Sequence, residues 1–234
     1  MTTAIVLAGG LGTRLRSAVP DLPKPMAPIA GRPFLEYQLD YWIAQGVDRF
    51  LLSVGYRHEV IVDHFGSGYR GVSIEYVIEE TPLGTGGGLL LAADRAGDKP
   101  FLVLNGDTYF QVDLDELEGF ARSNDADWCF SLFRTSEPGR YMGMDLSPDG
   151  RVISLGSTLL QGERRANGGV YLVHPRSLAT GGWTPGQRCS LEDDIFPASM
   201  AAGQRFFGIE FPGVFIDIGV PDDYRRAPSV LLPC

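Results

Sequence analysis

The sequence predicts an α/β protein: an open, mostly parallel β-sheet flanked by helices, Rossmann-like, with a C-terminal antiparallel β extension. Two observations predict it. Through the first two-thirds of the chain, short β-like runs alternate with segments of helical periodicity, the pattern of parallel strands joined by crossover helices. After about Arg134 the runs become short and are punctuated by Gly and Pro, as in antiparallel structure.

Each element has a local reason. Thr3–Ala8 is a continuous apolar run and reads as a buried strand. Pro33 opens a helix over Phe34–Gln45, where Leu35, Leu39, Trp42 and Ile43 recur on one face. Arg49–Val54 is the next strand, and His58–Phe65 is helical with Val60, Ile61, His64 and Phe65 at helical spacing. Val72–Ile78 reads as a strand, Gly86–Ala96 as a helix, and Pro100–Leu104 as a strand ending at Asn105-Gly106-Asp107. Leu114–Arg122 is a helix and Ala126–Phe133 a strand. In the last third, Met144–Leu146, Val152–Leu155, Gly169–Val173, Arg205–Glu210 and Val214–Asp217 are β-like and are expected to cover the sheet's C-terminal rim. Ser190–Ala201 contains a helix, and Pro221–Arg226 is a last short one.

At 234 residues with 44% hydrophobic content, the chain can form one domain, 1–234, with a substantial core. The formal net charge of −9 argues against nucleic acid or an anionic membrane as partner, so a bound anion must be held by local cations and backbone dipoles. No run reaches the length of a membrane span, and no signal-peptide pattern precedes Ala4–Ala8. Cys129, Cys189 and Cys234 are odd in number and widely spaced, which predicts a reduced cytoplasmic chain without a disulfide framework or zinc site. His58, His64 and His174 have no partner cluster.

The most informative stretch is Ala4-Ile-Val-Leu-Ala-Gly-Gly-Leu-Gly-Thr-Arg-Leu15, followed by Pro23-Lys24-Pro25. Gly9, Gly10 and Gly12 expose backbone N–H groups at the carboxyl end of a strand, where open α/β sheets bind ligands, and Arg14 and Lys24 add two cations. That is a receptacle for a polyanion, and triphosphate is the natural candidate. A dinucleotide fingerprint fails because Leu15 stands where its third glycine belongs, and a Walker A loop fails because Arg14 stands in its Gly-Lys position. The competing reading is a plain strand–loop–helix turn with surface cations. Asp107 and Asp217 each follow or end an apolar β-like run; alone, either is a turn former, but two beside a phosphate loop point to a hard-cation site such as Mg2+.

Together with Pro82-Leu-Gly-Thr-Gly-Gly-Gly88 and Asn105-Gly106-Asp107, these motifs resemble the sugar-1-phosphate nucleotidylyltransferases over nearly the whole chain. Lys24-Pro-Met-Ala-Pro-Ile29 and Phe215-Ile-Asp-Ile-Gly-Val-Pro-Asp-Asp-Tyr224 are most like the D-glycero-α-D-manno-heptose 1-phosphate guanylyltransferases. The resemblance implies the nucleotidyltransferase, glycosyltransferase-A-like form of the fold, with a nucleotide-binding half (1–133) and a sugar-binding half (134–234). It implies GTP or another nucleoside triphosphate and a sugar 1-phosphate as substrates, with Mg2+ held by Asp107 and Asp217. Arg14, Lys24 and Asp107 carry catalysis in that scheme. Leu7, Ala8, Gly9, Gly10, Gly12, Thr13, Arg14, Glu79, Pro82, Gly84, Thr85, Asn105 and Gly106 bind the nucleotide, and Gly143, Asn167, Gly168 and Glu192 the sugar.

Three points stay open on sequence. Glu79 could accept from guanine N1–H and its exocyclic amine, or be an exposed strand end; Gly86-Gly87-Gly88 would let the helix start approach the nucleoside. Many relatives carry a Glu-Lys-Pro run whose lysine holds the sugar phosphate; Gly156–Arg165 has none, and neither Arg164 nor Arg165 is assigned in its place. The alternatives are a mannose 1-phosphate guanylyltransferase, an amino-sugar 1-phosphate uridylyltransferase, and a non-catalytic nucleotide-sugar sensor, against which the intact Arg14, Lys24, Asp107 and Asp217 speak. The oligomeric state is left open, a homodimer among the options.

Overall fold

The computed structural model describes residues 2–15, 17–137, 139–156 and 163–232. Cys234 and residues 157–162, within the stretch where the Glu-Lys-Pro run is missing, lie outside them. The chain runs β1 (Thr3–Ala8), a 3₁₀ turn (Lys24–Met26), β2 (Pro28–Ile29), β3 (Arg32–Pro33), α1 (Phe34–Ala44), β4 (Arg49–Val54), α2 (His58–Phe65), β5 (Gly68–Tyr69) and β6 (Val72–Ile78). Next come α3 (Gly84–Ala93), β7 (Phe101–Asn105), β8 (Thr108–Phe110), α4 (Leu114–Ser123), β9 (Trp128–Thr135), β10 (Met144–Leu146), β11 (Val152–Leu155) and β12 (Arg164–Val173). A second 3₁₀ turn (Pro175–Ser177), a wide π-type turn (Leu191–Ile195), α5 (Phe196–Ala201), β13 (Phe206–Glu210), β14 (Phe215–Asp217) and α6 (Pro221–Leu231) complete it.

One eight-stranded sheet, in the order β13-β9-β12-β7-β1-β4-β6-β5, forms the backbone of the molecule. β1 pairs in parallel with both β4 and β7, and β4 with β6. The core follows from alternation along β1. Ala4, Val6 and Ala8 face a cluster holding Leu35, Leu39 and Trp42 of α1, Ile61 and Phe65 of α2, and Leu117 of α4. Ile5 faces the opposite cluster with Leu89 and Leu90 of α3 and Phe196 of α5. A strand covered on both faces must be apolar at every position, which is why this run carries no alternating polar residues. Asp113 caps α4, its side chain accepting from Glu116 N–H at 2.9 Å.

The last third departs from its expected place. β12 lies inside the sheet, antiparallel to both β7 and β9, and β13 extends the same sheet in parallel with β9. β12 can enter there because Ala166, Val170 and Tyr171 are buried on both sides, so it forms core instead of a cover. β14 pairs antiparallel with β8 beside Asp107, and β10 and β11 form a separate antiparallel pair. Ser190–Ala201 contains the expected helix, α5, preceded by the wide turn over Leu191–Ile195, which Ser190 caps by accepting from Asp193 N–H at 3.1 Å. Cys129 and Cys189 are buried thiols, and burial pushes Cys129 up to about 12. Among the described residues no helix is long and apolar enough to cross a membrane.

Candidate active site

β1 lies between β7 and β4, so the chain reverses its direction of growth across the sheet at β1. The loops leaving β1 and β7 therefore diverge, and a crevice opens at their carboxyl ends. A cavity of about 630 Å³ occupies it. Its lining includes Leu7, Ala8, Gly9, Gly10, Gly12, Thr13 and Arg14 from the first loop, with Lys24, Glu79, Pro82, Gly84, Thr85, Asn105, Gly106 and Asp107. Asn167, Gly168, Glu192 and Asp217 line it as well. Gly143 does not; it bridges to Ala166 at the end of β12, where its backbone is used for pairing. His58, His64 and His174 are also outside the lining.

The glycine loop is shaped by two close approaches. Gly12 has φ +62°, a conformation that disfavours a Cβ, and a Cβ there would lie 3.0 Å from Lys24 Cγ. A Cβ on Gly9 would lie 2.1 Å from Glu79 Oε1. The glycines thus let a cation and a carboxylate close on the loop from either side. Lys24 is directed by the prolines around it: Met26 N–H donates to Pro23 O at 2.8 Å, and Ala27 N–H to Lys24 O at 3.0 Å. Its ammonium meets Asp107 Oδ2 at 2.7 Å. The exposed Arg14 side chain makes no hydrogen bond or ion pair among the described residues.

The two aspartates converge through backbone pairing. Asp217 is in register with Thr108, and Ile218 N–H donates to Asp107 O at 2.9 Å. Gln38, buried at 1% exposure, supports the turn from beneath, giving its Nε2 hydrogens to Asn105 O (2.9 Å) and Thr108 O (2.6 Å). A Cβ built on Gly219 would lie 2.7 Å from Asp217 Oδ1, 3.4 Å from Lys24 Nζ and 3.5 Å from Asp107 Oδ2, so all three groups crowd one point. Burial, then the charge of Asp107, raises the Asp217 pKa against the opposing hydrogen bond from Gly219 N–H. Such a site favours a cation. Among the described residues no cluster of three or more His, Cys, Asp or Glu could hold a metal, but two carboxylates completed by substrate phosphates and water suit Mg2+.

Glu79 is half-buried, not a solvated strand end. Its carboxylate accepts from Ser53 Oγ and Leu83 N–H, both at 3.1 Å, and each oxygen keeps a further lone pair. Burial raises its pKa despite those bonds. Gly86-Gly87-Gly88 makes room for protein groups. A Cβ on Gly86 would meet Cys189 Sγ at 2.9 Å, one on Gly87 would meet Gln187 O at 2.5 Å, and one on Gly88 would meet Glu79 Oε1 at 2.8 Å. These glycines admit the 187–190 segment and the Glu79 carboxylate against α3.

The far side of the cavity is built from side chains bonded to one another. Asn167 donates to Tyr171 OH at 2.8 Å and accepts from Gly169 N–H at 3.0 Å, within a bulge of β12. Arg140 pairs with the buried Asp223, and with Glu137 at 2.9 Å. Arg164 and Arg165 are engaged elsewhere, with Glu137 O and with Glu210 at 3.2 Å, and neither lines the cavity. Two arginines that sequence reasoning missed do line it: Arg140 and Arg188. Arg188 is exposed and its side chain makes no bond among the described residues. The signal for it was weak, a single arginine four residues before Glu192 in an irregular segment.

Residues 3–232 match the nucleotidyl transferase family. Over 228 residues, 97% of both chains, the sequence is 41% identical to D-glycero-alpha-D-manno-heptose 1-phosphate guanylyltransferase of Aneurinibacillus thermoaerophilus. It is 35% identical to mannose-1-phosphate guanylyltransferase of Mycobacterium tuberculosis, across 98% of this chain and 64% of that protein. The fold matches HddC from Yersinia pseudotuberculosis complexed with GMP-PN at a TM-score of 0.84 and 33% identity, covering 98% of this chain and 99% of that one.

Proposed function

The chain belongs to the nucleotidyl transferase family, and from that premise we propose that it transfers the guanylyl group of GTP to a sugar 1-phosphate, D-glycero-α-D-manno-heptose 1-phosphate being the acceptor. The observation that carries this reading is convergence: Arg14, Lys24, Asp107 and Asp217 come from separate segments and line one cavity with the glycine loop. A protein that only sensed nucleotide-sugars would not need all four. Heptose is preferred to mannose because the heptose relative is the more similar, at 41% against 35% identity.

In the proposed reaction an anomeric phosphate oxygen of the acceptor forms a bond to the α-phosphorus of GTP. The bond from that phosphorus to the bridging oxygen breaks, and pyrophosphate leaves with the electron pair. The attacking phosphate is already ionised, so no general base is required. The obstacle is repulsion: two unit charges about 4 Å apart oppose each other by roughly 4 kcal/mol at an effective dielectric of about 20. Lys24 and Arg14 offset that charge as the α-phosphorus becomes five-coordinate, and the loop amides hold the phosphates in line. Asp107 and Asp217 would hold Mg2+, which supplies charge neutralisation on the phosphate oxygens. Because Lys24 pairs with Asp107 in the free protein, its ammonium must exchange a carboxylate for a phosphate as substrate enters. Glu79 accepts from the guanine N–H donors, and Arg188 supplies charge to the acceptor phosphate.

Pyrophosphate release, measured with each of four nucleoside triphosphates against heptose, mannose, glucose and N-acetylglucosamine 1-phosphates, tests the reading. GTP with the heptose phosphate is expected to give the highest kcat/KM. Preference for UTP with the amino sugar would overturn it, and preference for mannose 1-phosphate would replace the acceptor.

A further inference from the structure

By position in the sequence, Thr85 belongs with Pro82 and Gly84 on the nucleotide side. Its side chain is committed elsewhere. Thr85 Oγ1 accepts from Leu191 N–H at 2.9 Å and donates to Glu192 Oε2 at 2.9 Å. A threonine hydroxyl has one proton, and that proton is spent on Glu192, leaving none for a phosphate or a base. Ser190 Oγ donates to the same Glu192 oxygen at 3.1 Å, so Oε2 is held twice while Oε1 keeps its lone pairs. Backbone bonds join the two segments beside this contact. Gly86 and Gly87 N–H both donate to Cys189 O, at 3.0 and 3.1 Å, and Cys189 N–H donates to Leu83 O at 2.9 Å. The absence of side chains at Gly86 and Gly87 is what permits that approach.

We propose that Thr85 is a positioning residue for the acceptor: it fixes the Glu192 carboxylate so that Oε1 receives a sugar hydroxyl, and it has no side-chain role toward the nucleotide. The assignment rests on the proposed reaction, in which Glu192 meets the sugar. It gives the Pro82–Gly88 motif two functions, one on each side of the cavity. The backbone at Gly84 lines the nucleotide side, and the hydroxyl one residue later braces the sugar side.

Steady-state kinetics of the full chain, with GTP and heptose 1-phosphate each varied against saturating partner, test it in the wild type, Thr85→Val, Thr85→Ser and Glu192→Ala. Loss of a hydrogen bond to a charged group predicts that Thr85→Val raises KM for the sugar phosphate about tenfold or more, while KM for GTP stays within about twofold. Thr85→Ser, which keeps the hydroxyl, restores the wild-type value. In the Glu192→Ala background the valine substitution adds little, since its partner is gone. A rise in KM for GTP matching that for the sugar, or an undiminished valine effect without Glu192, overturns the assignment. Should valine lower Tm enough to impair folding, Thr85→Ala reads the same division of KM. A wild type inert with GTP and all the sugar phosphates overturns the functional reading first, and this inference with it.

Discussion

In the proposed reading the nucleotide side of the cavity is a run of chain from Leu7 to Arg14, whereas the sugar side is assembled from Arg140, Asn167, Arg188 and Glu192 on four separate segments. On the first side, specificity of shape comes from missing side chains: Gly9 and Gly12 give Glu79 and Lys24 room to close in. On the second, three of the four residues are already bonded to a neighbour, Arg140 to Asp223, Asn167 to Tyr171 and Glu192 to Thr85. Backbone amides are held by the strand that precedes them and need no further support. Side chains that must hold a geometry need partners, and those partners are scattered along the chain.

That contrast can be broken or sharpened by mutation. The largest expected effect is at the carboxylates: Asp107→Asn and Asp217→Asn should each abolish Mg2+-dependent turnover while circular dichroism and Tm show an intact fold. Turnover surviving in both at ordinary Mg2+ would remove the metal assignment. Lys24→Ala follows, lowering kcat by about a hundred- to thousandfold, the cost of removing one preorganised charge stabiliser, with little change in KM for GTP. A variant near wild-type turnover would remove Lys24 from that role.

Glu79→Gln should lower kcat/KM for GTP by about tenfold, through loss of a charged acceptor. Its pH dependence is specific. Burial raises the Glu79 pKa, and only the ionised form accepts two N–H donors, so kcat/KM for GTP falls as pH drops through that raised value, earlier than an ordinary carboxylate would allow. Glutamine does not ionise, and should remove that component of the acid limb. Arg140→Ala should raise KM for the sugar phosphate by about three- to tenfold and spare GTP, because it releases one tie between Asp223 on α6 and the loop lining the sugar side. An equal effect on both substrates would mean the two sides are not separable.

The smallest expected effect is remote from both. Burial tends to raise the Asp127 pKa, but the bond from Arg205 N–H at 2.8 Å and the ion pair with Arg176 at 2.5 Å outweigh it and hold it below the usual range. Its contribution to stability is present above the unfolded carboxylate pKa and is lost as pH falls through the lower folded value. Asp127→Asn should lower Tm by about 2–4 °C at neutral pH, with the gap closing in acid and activity unchanged.

How far each side could be read from sequence follows the same division. Gly9-Gly10-Leu11-Gly12-Thr13-Arg14 is contiguous, and every one of its residues lines the cavity. Asp107 and Asp217 were legible as carboxylates at the ends of apolar runs, though nothing in their spacing says that β14 pairs with β8. Arg188 was not legible, since an isolated arginine in an irregular segment has no pattern. Gly86-Gly87-Gly88 was legible as a close approach, though the 187–190 segment that packs there was not. The position of β12 was misread because a short apolar run with glycines looks the same at a sheet's edge or inside it, and only burial on both faces distinguishes them.

By itself the sequence determined the parallel strand–helix alternation, the glycine loop and the identity of the charged groups, because each is written in neighbouring residues whose periodicity and conformational limits act locally. The tertiary structure decided which distant groups meet: Asp217 beside Asp107, Glu79 against Gly9, and Thr85 turned to Glu192. Those meetings depend on strand order and on which side chains can be left out at a contact, and both are set by packing across the whole sheet.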